Sequence, residues 1–168
     1  MSTPANALVD SGSITPLEEF PLAWRFTSAR HSLPAADIAT RLMPLDRRTA
    51  ARIADEAIDR DANASHVPLS FRTDEAPGAV QRWLLGLPVD ASAAVVLSWD
   101  RVTALVTDWA TFIAHWDDFC YPASDDVTIW APNGAWTLSY RHYEVFQFGG
   151  ALPGIEPSSP PAAGDGGV

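Results

Sequence analysis

The residues of this chain best suited to metal binding or acid–base catalysis form two pairs. Each pair consists of a histidine and a nearby carboxylate. His115 and Asp118 are three residues apart in a stretch with helical spacing, and His142 and Glu144 are two apart in a stretch that alternates like a strand. Each spacing places the two side chains of a pair on one face of their element. If the two faces met, the four groups would suit zinc or non-haem iron, or would serve as an acid and a base. Without a third ligand, neither spacing is specific for a metal site. A metal-dependent or acid–base enzyme that uses these four residues is therefore the alternative hypothesis. The main prediction is that the chain binds no metal and no cofactor.

An acidic stretch supports a different hypothesis, in which the chain binds a protein. Residues 107–126 contain five aspartates and no basic side chain. Carboxylates this dense repel one another unless they are solvated or meet a cation from another molecule. The alternative interpretation is a helix end and a turn that are merely solvated.

An aromatic pair beside these aspartates strengthens the binding hypothesis. Trp130 alternates away from Val127 and Ile129 on a predicted strand, which predicts that its ring is exposed. An exposed Trp130, together with Tyr121, would make cation–π contacts with arginine or lysine of a partner. The predicted partner-binding residues are Asp117, Asp118, Tyr121, Asp125, Asp126 and Trp130.

The charge of the chain limits the class of partner. The net charge is −10, and all eleven basic residues are arginine. Residues 1–99 carry twelve acids and nine arginines (−3), whereas residues 100–168 carry nine acids and two arginines (−7). Such a field repels phosphate backbones and anionic membranes, so we expect no nucleic acid and no membrane as partners, and a basic protein surface instead.

Cysteine usage and hydropathy indicate a cytoplasmic protein. Cys120 is the only cysteine and cannot form an internal disulfide. The negative charges around it would raise its pKa, which is typical of an inert buried thiol. The sequence contains no uninterrupted apolar stretch of eighteen residues that would predict a membrane-spanning helix, and its first thirty residues lack the pattern of a secretion signal.

Periodicity predicts the elements that position these residues. Helices are expected around 35–43, from 47 after an N-cap at Asp46, around 79–87, and over 107–120 with Thr107 as N-cap. Strands are expected at 91–99 and 102–107, and in a C-terminal hairpin whose turn is Asn133–Gly134 and whose second strand continues over 136–149. The stretch 22–28 alternates weakly and is predicted to be a short strand or an extended packing segment.

These elements predict an α+β fold with a small, mainly antiparallel sheet. Two or three N-terminal helices precede the sheet, and one amphipathic helix, 107–120, packs on it. We predict a single domain over residues 14–149, preceded by a flexible arm, 1–13. Residues 150–168 are rich in glycine and proline and are predicted to be a disordered tail.

The order of motifs DWATFIAHWDDF, SDDVTIW and WTLSYRHYEVFQFG, over about residues 90–149, resembles small bacterial domain families of unknown function. The chain is also loosely similar to immunity proteins of the Smi1/Knr4-like type, which are acidic cytosolic α+β domains with tryptophans at comparable helical spacing. It departs from that family because the usual opening helix with a small-residue turn is not found. The resemblance implies a bacterial protein that inhibits a basic toxin. A housekeeping domain that uses none of these features is the third hypothesis.

Overall fold

An antiparallel sheet of seven strands organises this computed structural model, which describes residues 13–27, 36–64, 69–132 and 134–150. The strands lie side by side in the order β1-β4-β3-β5-β6-β7-β2. Three pairs of neighbours, β3–β4, β5–β6 and β6–β7, are consecutive along the chain. The strands are β1 Met43–Pro44, β2 Leu69–Arg72, β3 Ala94–Ser98, β4 Ala104–Asp108, β5 Val127–Trp130, β6 Trp136–Arg141 and β7 Val145–Gly150.

Helices cover both faces of the sheet. Val95 and Leu97 of β3 belong to one buried hydrophobic cluster, whereas Val96 between them belongs to a second. The nearly continuous apolar run of β3 follows from this double coverage, because a strand with one solvated face would alternate apolar and polar residues. The described residues therefore form three layers. The helices are α1 Trp24–Thr27, α2 Ala36–Ala39, α3 Arg47–Asn63, α4 Val80–Leu85, α5 Trp109–Ala114 and α6 Trp116–Phe119, with 3₁₀ turns at Leu17–Glu19 and Pro77–Ala79.

Helix α3 covers one face. It begins where the sequence predicts, since a carboxylate oxygen of Asp46 accepts a hydrogen bond from the backbone N–H of Thr49 at 2.7 Å. Its small and branched apolar side chains form the second cluster with β3, β4 and β5. The small side chains Ala50 and Ala57, both buried, allow the helix to approach the sheet closely.

Helices α1, α4, α5 and α6 cover the opposite face, where most of the aromatic residues are buried. Strands β4 and β5 are both antiparallel to β3 and therefore parallel to each other, so they need a crossover connection. Helices α5 and α6 make that crossover. The ring of Phe112 on α5 lies 5.8 Å from that of Phe119 on α6 and 6.5 Å from that of Phe146 on β7, which fixes the crossover to the sheet.

The predicted α+β class and the hairpin of β5 with β6 are confirmed, but three predicted elements are wrong. The stretch predicted as a strand at 22–28 contains the short helix α1 instead. The helix predicted over 107–120 begins at Trp109, because Thr107 belongs to β4 and the N-cap is Asp108, which accepts from the Thr111 N–H at 2.8 Å. That helix is also divided at His115, whose backbone leaves the helical region (φ −129°, ψ 29°).

The single long strand predicted over 136–149 is also wrong. It is two strands, β6 and β7, joined by a tight turn at His142–Glu144. Glu144 closes the turn in the left-handed conformation (φ 64°), and its N–H donates to the carbonyl of Arg141 at 2.8 Å. Non-glycine residues seldom adopt this conformation, so the alternation of side chains does not reveal the turn.

The predicted ends of the chain lie largely outside the described residues. Of the predicted arm 1–13, only Ser13 is described, and its carbonyl accepts from the Asp46 N–H at 2.8 Å. Of the predicted tail 150–168, only Gly150 is described, and it ends β7. Asn133 of the predicted hairpin turn is likewise not described. Within the described ranges, no helix is both long enough and apolar enough to cross a membrane.

Candidate functional site

Asp125, one of the predicted partner-binding residues, is neutralised within its own chain. The Arg25 guanidinium donates two hydrogen bonds to its carboxylate, at 2.6 and 3.1 Å, and the two residues are only 4% and 7% exposed. The Tyr121 N–H donates a third, at 2.9 Å. Burial acts to raise the pKa of Asp125, but the hydrogen bonds from Arg25 and from the Tyr121 backbone outweigh it and hold the pKa below its usual value. The expectation that this carboxylate waits for a foreign cation is therefore wrong.

Tyr121 also has a cation already. The Arg25 guanidinium carbon lies 3.9 Å from the centroid of the Tyr121 ring and 5.3 Å from that of Trp24. The Trp24 and Tyr121 rings meet edge to face at 5.6 Å. Helix α1 thus brings the arginine over the acidic turn, and the cation–π contact predicted for a partner is made internally.

Trp130 is fully buried, at 0% exposed, so its predicted exposure is wrong. Its ring does lie on the sheet face opposite Val127 and Ile129, but that face is covered by α3. The guanidinium carbon of Arg60 on α3 lies 5.3 Å from the Trp130 ring centroid. The alternation of side chains along β5 predicted the correct sheet face for Trp130, but it did not show that α3 packs on that face.

The other three predicted aspartates differ in their surroundings. Asp117 is exposed, whereas Asp118 is half-buried, with one carboxylate oxygen 3.8 Å from Nδ1 of His115. Asp126 is exposed and accepts the backbone N–H of His142 at 2.9 Å, with the ring Nδ1 at 3.0 Å. Burial acts to raise the pKa of Asp126, but the hydrogen bonds from His142 outweigh it and lower the pKa.

Asp126 borders a cleft that the sequence did not indicate. The cleft has a volume of about 250 Å³ and lies between the middle of α3, the end of β3, the start of β5 and the end of β6. A smaller hollow of about 140 Å³ adjoins it and shares Trp99, Asp100 and Asp126 with it. We call the two hollows together the acidic cleft. Its larger part is lined by Ala54, Ala57, Ile58, Asp61, Ser98, Trp99, Asp100, Arg101, Asp126, Thr128 and Arg141.

The turn between β3 and β4 places two of these residues. The carboxylate of Asp100 accepts the N–H of Val102 at 2.7 Å, which closes the turn. The indole N–H of Trp99 donates to the carbonyl of Phe119 at 3.1 Å, which ties the turn to the end of α6. This turn falls between the two strands predicted at 91–99 and 102–107, but nothing in its sequence placed it beside Asp126.

Both guanidiniums at the acidic cleft are already bound to carboxylates. Arg141 donates to Asp61 at 3.1 Å, and Asp61 also accepts from the hydroxyls of Thr128 and Ser139, at 3.0 and 2.6 Å. Arg101 donates to Asp55 of α3 at 2.6 Å. Within the described part of the chain, no arginine forms an ion pair with Asp100 or Asp126. The acidic cleft therefore has an excess of negative charge.

The four residues of the alternative site, all of them described, do not form a metal-binding group. Over the described ranges, no group of three or more histidine, cysteine, aspartate or glutamate side chains is placed to hold a metal ion. The strand face predicted to carry both His142 and Glu144 is wrong, because the two residues lie in the turn after β6. Burial, followed by the charge of Asp125, raises the pKa of the Cys120 thiol well above its usual value, so this thiol is unsuited to nucleophilic chemistry.

Comparison of the chain with protein-family models, with curated proteins and with solved structures found no match. The resemblance of residues 90–149 to small bacterial domains and to immunity proteins stays a prediction.

Proposed function

We propose that this chain is a cytoplasmic protein-binding module whose acidic cleft receives an arginine or lysine side chain from a basic partner. The observation that carries the proposal is a concave surface with two carboxylates, Asp100 and Asp126, with which no arginine of the described residues forms an ion pair; Asp126 lies against His142 instead. Both line the two hollows of the cleft, so a cation between them would meet both charges.

The apolar part of the acidic cleft supports a protein partner over a free ion. Ile58 is 62% exposed on α3, and Trp99 is partly exposed on the opposite side. Exposed apolar groups next to charged groups are typical of protein interfaces, where an aromatic or aliphatic residue packs and the charges fix orientation. The stem of an arginine or lysine side chain would pack on these groups while its charged end reaches the aspartates.

In its narrower form, the proposal makes this chain an immunity-type inhibitor. The basic surface then belongs to a toxin such as a nuclease, whose active site must be cationic to hold a phosphate backbone. Occupying that site with the acidic cleft would exclude the nucleic acid. The net charge of −10 supports this role, because it would steer a cationic toxin towards the chain.

A peptide titration tests the binding proposal without the partner. The probe is a synthetic peptide of alternating arginine and leucine, compared by calorimetry with the same peptide carrying uncharged citrulline. We expect only the arginine peptide to bind. Asp100→Asn and Asp126→Asn should each weaken binding about threefold, and the double variant should bind with a flatter salt dependence.

Asp90→Asn is a matched control. Asp90 accepts the N–H of Ser92 at 2.7 Å, as Asp100 accepts that of Val102, but it lies near the start of β3 and Asp100 lies after its end. Both substitutions remove one charge from a turn that asparagine can still close. Equal binding of the citrulline peptide, or equal loss in Asp90→Asn and Asp100→Asn, would contradict the proposal.

The narrower proposal has its own test. Coexpression with a basic nuclease toxin should protect the host cell, and the Asp100→Asn/Asp126→Asn variant should protect less. If the double variant protects the cell as well as the wild type does, the toxin is inhibited by a surface other than the acidic cleft.

A further inference from the structure

His142 contacts Asp126, one of the two aspartates of the acidic cleft that have no arginine as partner. Its backbone N–H and its ring Nδ1 lie 2.9 and 3.0 Å from the same carboxylate oxygen, Oδ1. The other oxygen, Oδ2, accepts no hydrogen bond from the residues that the structure describes. Asp126 therefore has one oxygen bound to His142 and one oxygen left for a ligand of the cleft.

The backbone holds His142 in this position from two sides. The residue begins the turn between β6 and β7, which the Glu144 N–H closes by donating to the carbonyl of Arg141 at 2.8 Å. The carbonyl of His142 accepts the N–H of Ala123 at 2.9 Å, from the loop that precedes β5. The side chains of His142 and Asp126 are 57% and 52% exposed, so the ring exchanges protons freely with solvent.

The contact with Asp126 determines which ring nitrogen takes up a proton. An ionised carboxylate only accepts hydrogen bonds, so Nδ1 carries the proton when the ring is neutral. The second proton then binds at Nε2 and gives the ring a positive charge without breaking the contact. A positive charge at this distance offsets that of Asp126 and competes with a cation that enters the cleft.

We propose, given the function proposed for the acidic cleft, that His142 makes the binding of a cationic partner dependent on pH, with protonation of its ring weakening the binding. Imidazole is the side chain that changes charge between about pH 5 and pH 8. Burial acts to raise the pKa of Asp126, but the hydrogen bonds from His142 outweigh it and lower the pKa, so the carboxylate stays ionised over this range.

The other charged groups near His142 keep their charge over the same range. Carboxylates titrate below it and guanidiniums above it. His115, the other described histidine, lies 3.8 Å from Asp118 and does not line the cleft. The charged groups around His142, on its own turn, the loop before β5, β2 and α3, are Arg141, Glu144, Asp125, Asp126, Arg72 and Asp61.

Calorimetry of the full chain with the arginine–leucine peptide tests this pH dependence. The peptide is blocked at both ends, so it does not titrate between about pH 7.5 and pH 5.5. We expect the wild type to bind about threefold more weakly at the lower pH, as for removal of the Asp126 charge. His142→Gln retains a side-chain donor without a titrating group and should bind equally at both values.

The control variant keeps His142 and lacks the other three histidines. It is His31→Gln/His66→Gln/His115→Gln, and it should retain the threefold change. Equal binding by the wild type at the two pH values, or the same change in His142→Gln as in the wild type, would overturn the role of His142 and leave the function of the cleft standing. Absence of binding at the higher pH would refute both.

Proton release gives an independent readout. Titrations at about pH 6.5 in buffers of different ionisation enthalpy measure the protons released when the peptide binds. The wild type should release protons, because the proton on the ring and the peptide oppose each other's binding reciprocally. Release by His142→Gln equal to that of the wild type would contradict the assignment.

Discussion

Replacement of Arg25 by methionine should destabilise the protein strongly, because it leaves the Asp125 carboxylate buried without its cation. The pair is bidentate, and the two side chains are 5% and 8% exposed. Removing one partner of a buried ion pair typically costs about 3–5 kcal/mol. Methionine keeps much of the packing against Tyr121, so this figure reflects mainly the unpaired charge. For a chain of this length, that cost lowers the melting temperature by roughly 10 °C.

The pH dependence separates this electrostatic effect from lost packing. In the wild type, the pKa of Asp125 is depressed, so its contribution is complete above the unfolded value of about 3.9 and is lost as pH falls through the folded value. In Arg25→Met, burial dominates and raises the pKa of Asp125, so the carboxyl can protonate as the pH falls. The stability gap between the two proteins should therefore be widest near neutral pH and shrink towards about pH 4.

Urea unfolding at several pH values measures this gap. Arg25→Met/Asp125→Asn removes the unpaired charge and should recover a large part of the lost free energy at neutral pH, even where the single variant is too unstable to fold. Arg101→Met breaks an ion pair with Asp55 whose side chains are both 62% exposed, and should leave stability unchanged. A gap that is constant with pH, or a double variant no more stable than Arg25→Met, would refute the reasoning.

Three further predictions concern the core and one helix end. Asp46→Ala removes the N-cap of α3 and should lower the free energy of unfolding by about 1 kcal/mol in urea titrations. Asp46→Asn can still cap the helix and should retain most of this stabilisation. Trp130→Ala should cost about 3–5 kcal/mol by the same assay, because the ring is fully buried; an exposed ring would give little change. Cys120 should react with iodoacetamide at neutral pH only after unfolding, as mass spectrometry would show, since burial protects the thiol and raises its pKa; rapid labelling of the native protein would contradict this.

The sequence predicted the elements whose signals are local. The N-cap of α3, the strand β3 and the pairing of β5 with β6 follow from neighbouring residues, and the structure has them in place. It did not predict β1 or β2. Each is short, and each exists because a distant strand pairs with it, β4 and β7 respectively. Pairing of that kind depends on tertiary context, which propensity does not contain.

The site was harder to predict than the fold because it depends on compensation between distant residues. Arg25 and Asp125 are 100 positions apart, so the aspartates near the end of α6 appear uncompensated in the sequence although one of them has its cation. Likewise, alternation assigned Trp130 to the correct face, and only the position of α3 shows that this face is buried. For Asp100, the sequence around it is typical of a turn and does not indicate that it lines a cleft with Asp126.

The pairing of β2 with β7 has a consequence for how the chain folds as it is synthesised. Leu69 lies opposite Phe148, so about eighty residues must be added after β2 emerges before its only described neighbour exists. At typical elongation rates of about 5–20 residues per second, β2 waits for several seconds or longer. Until then β2 has no described strand to pair with. We therefore expect the pairing of β2 with β7 to be among the last steps of folding.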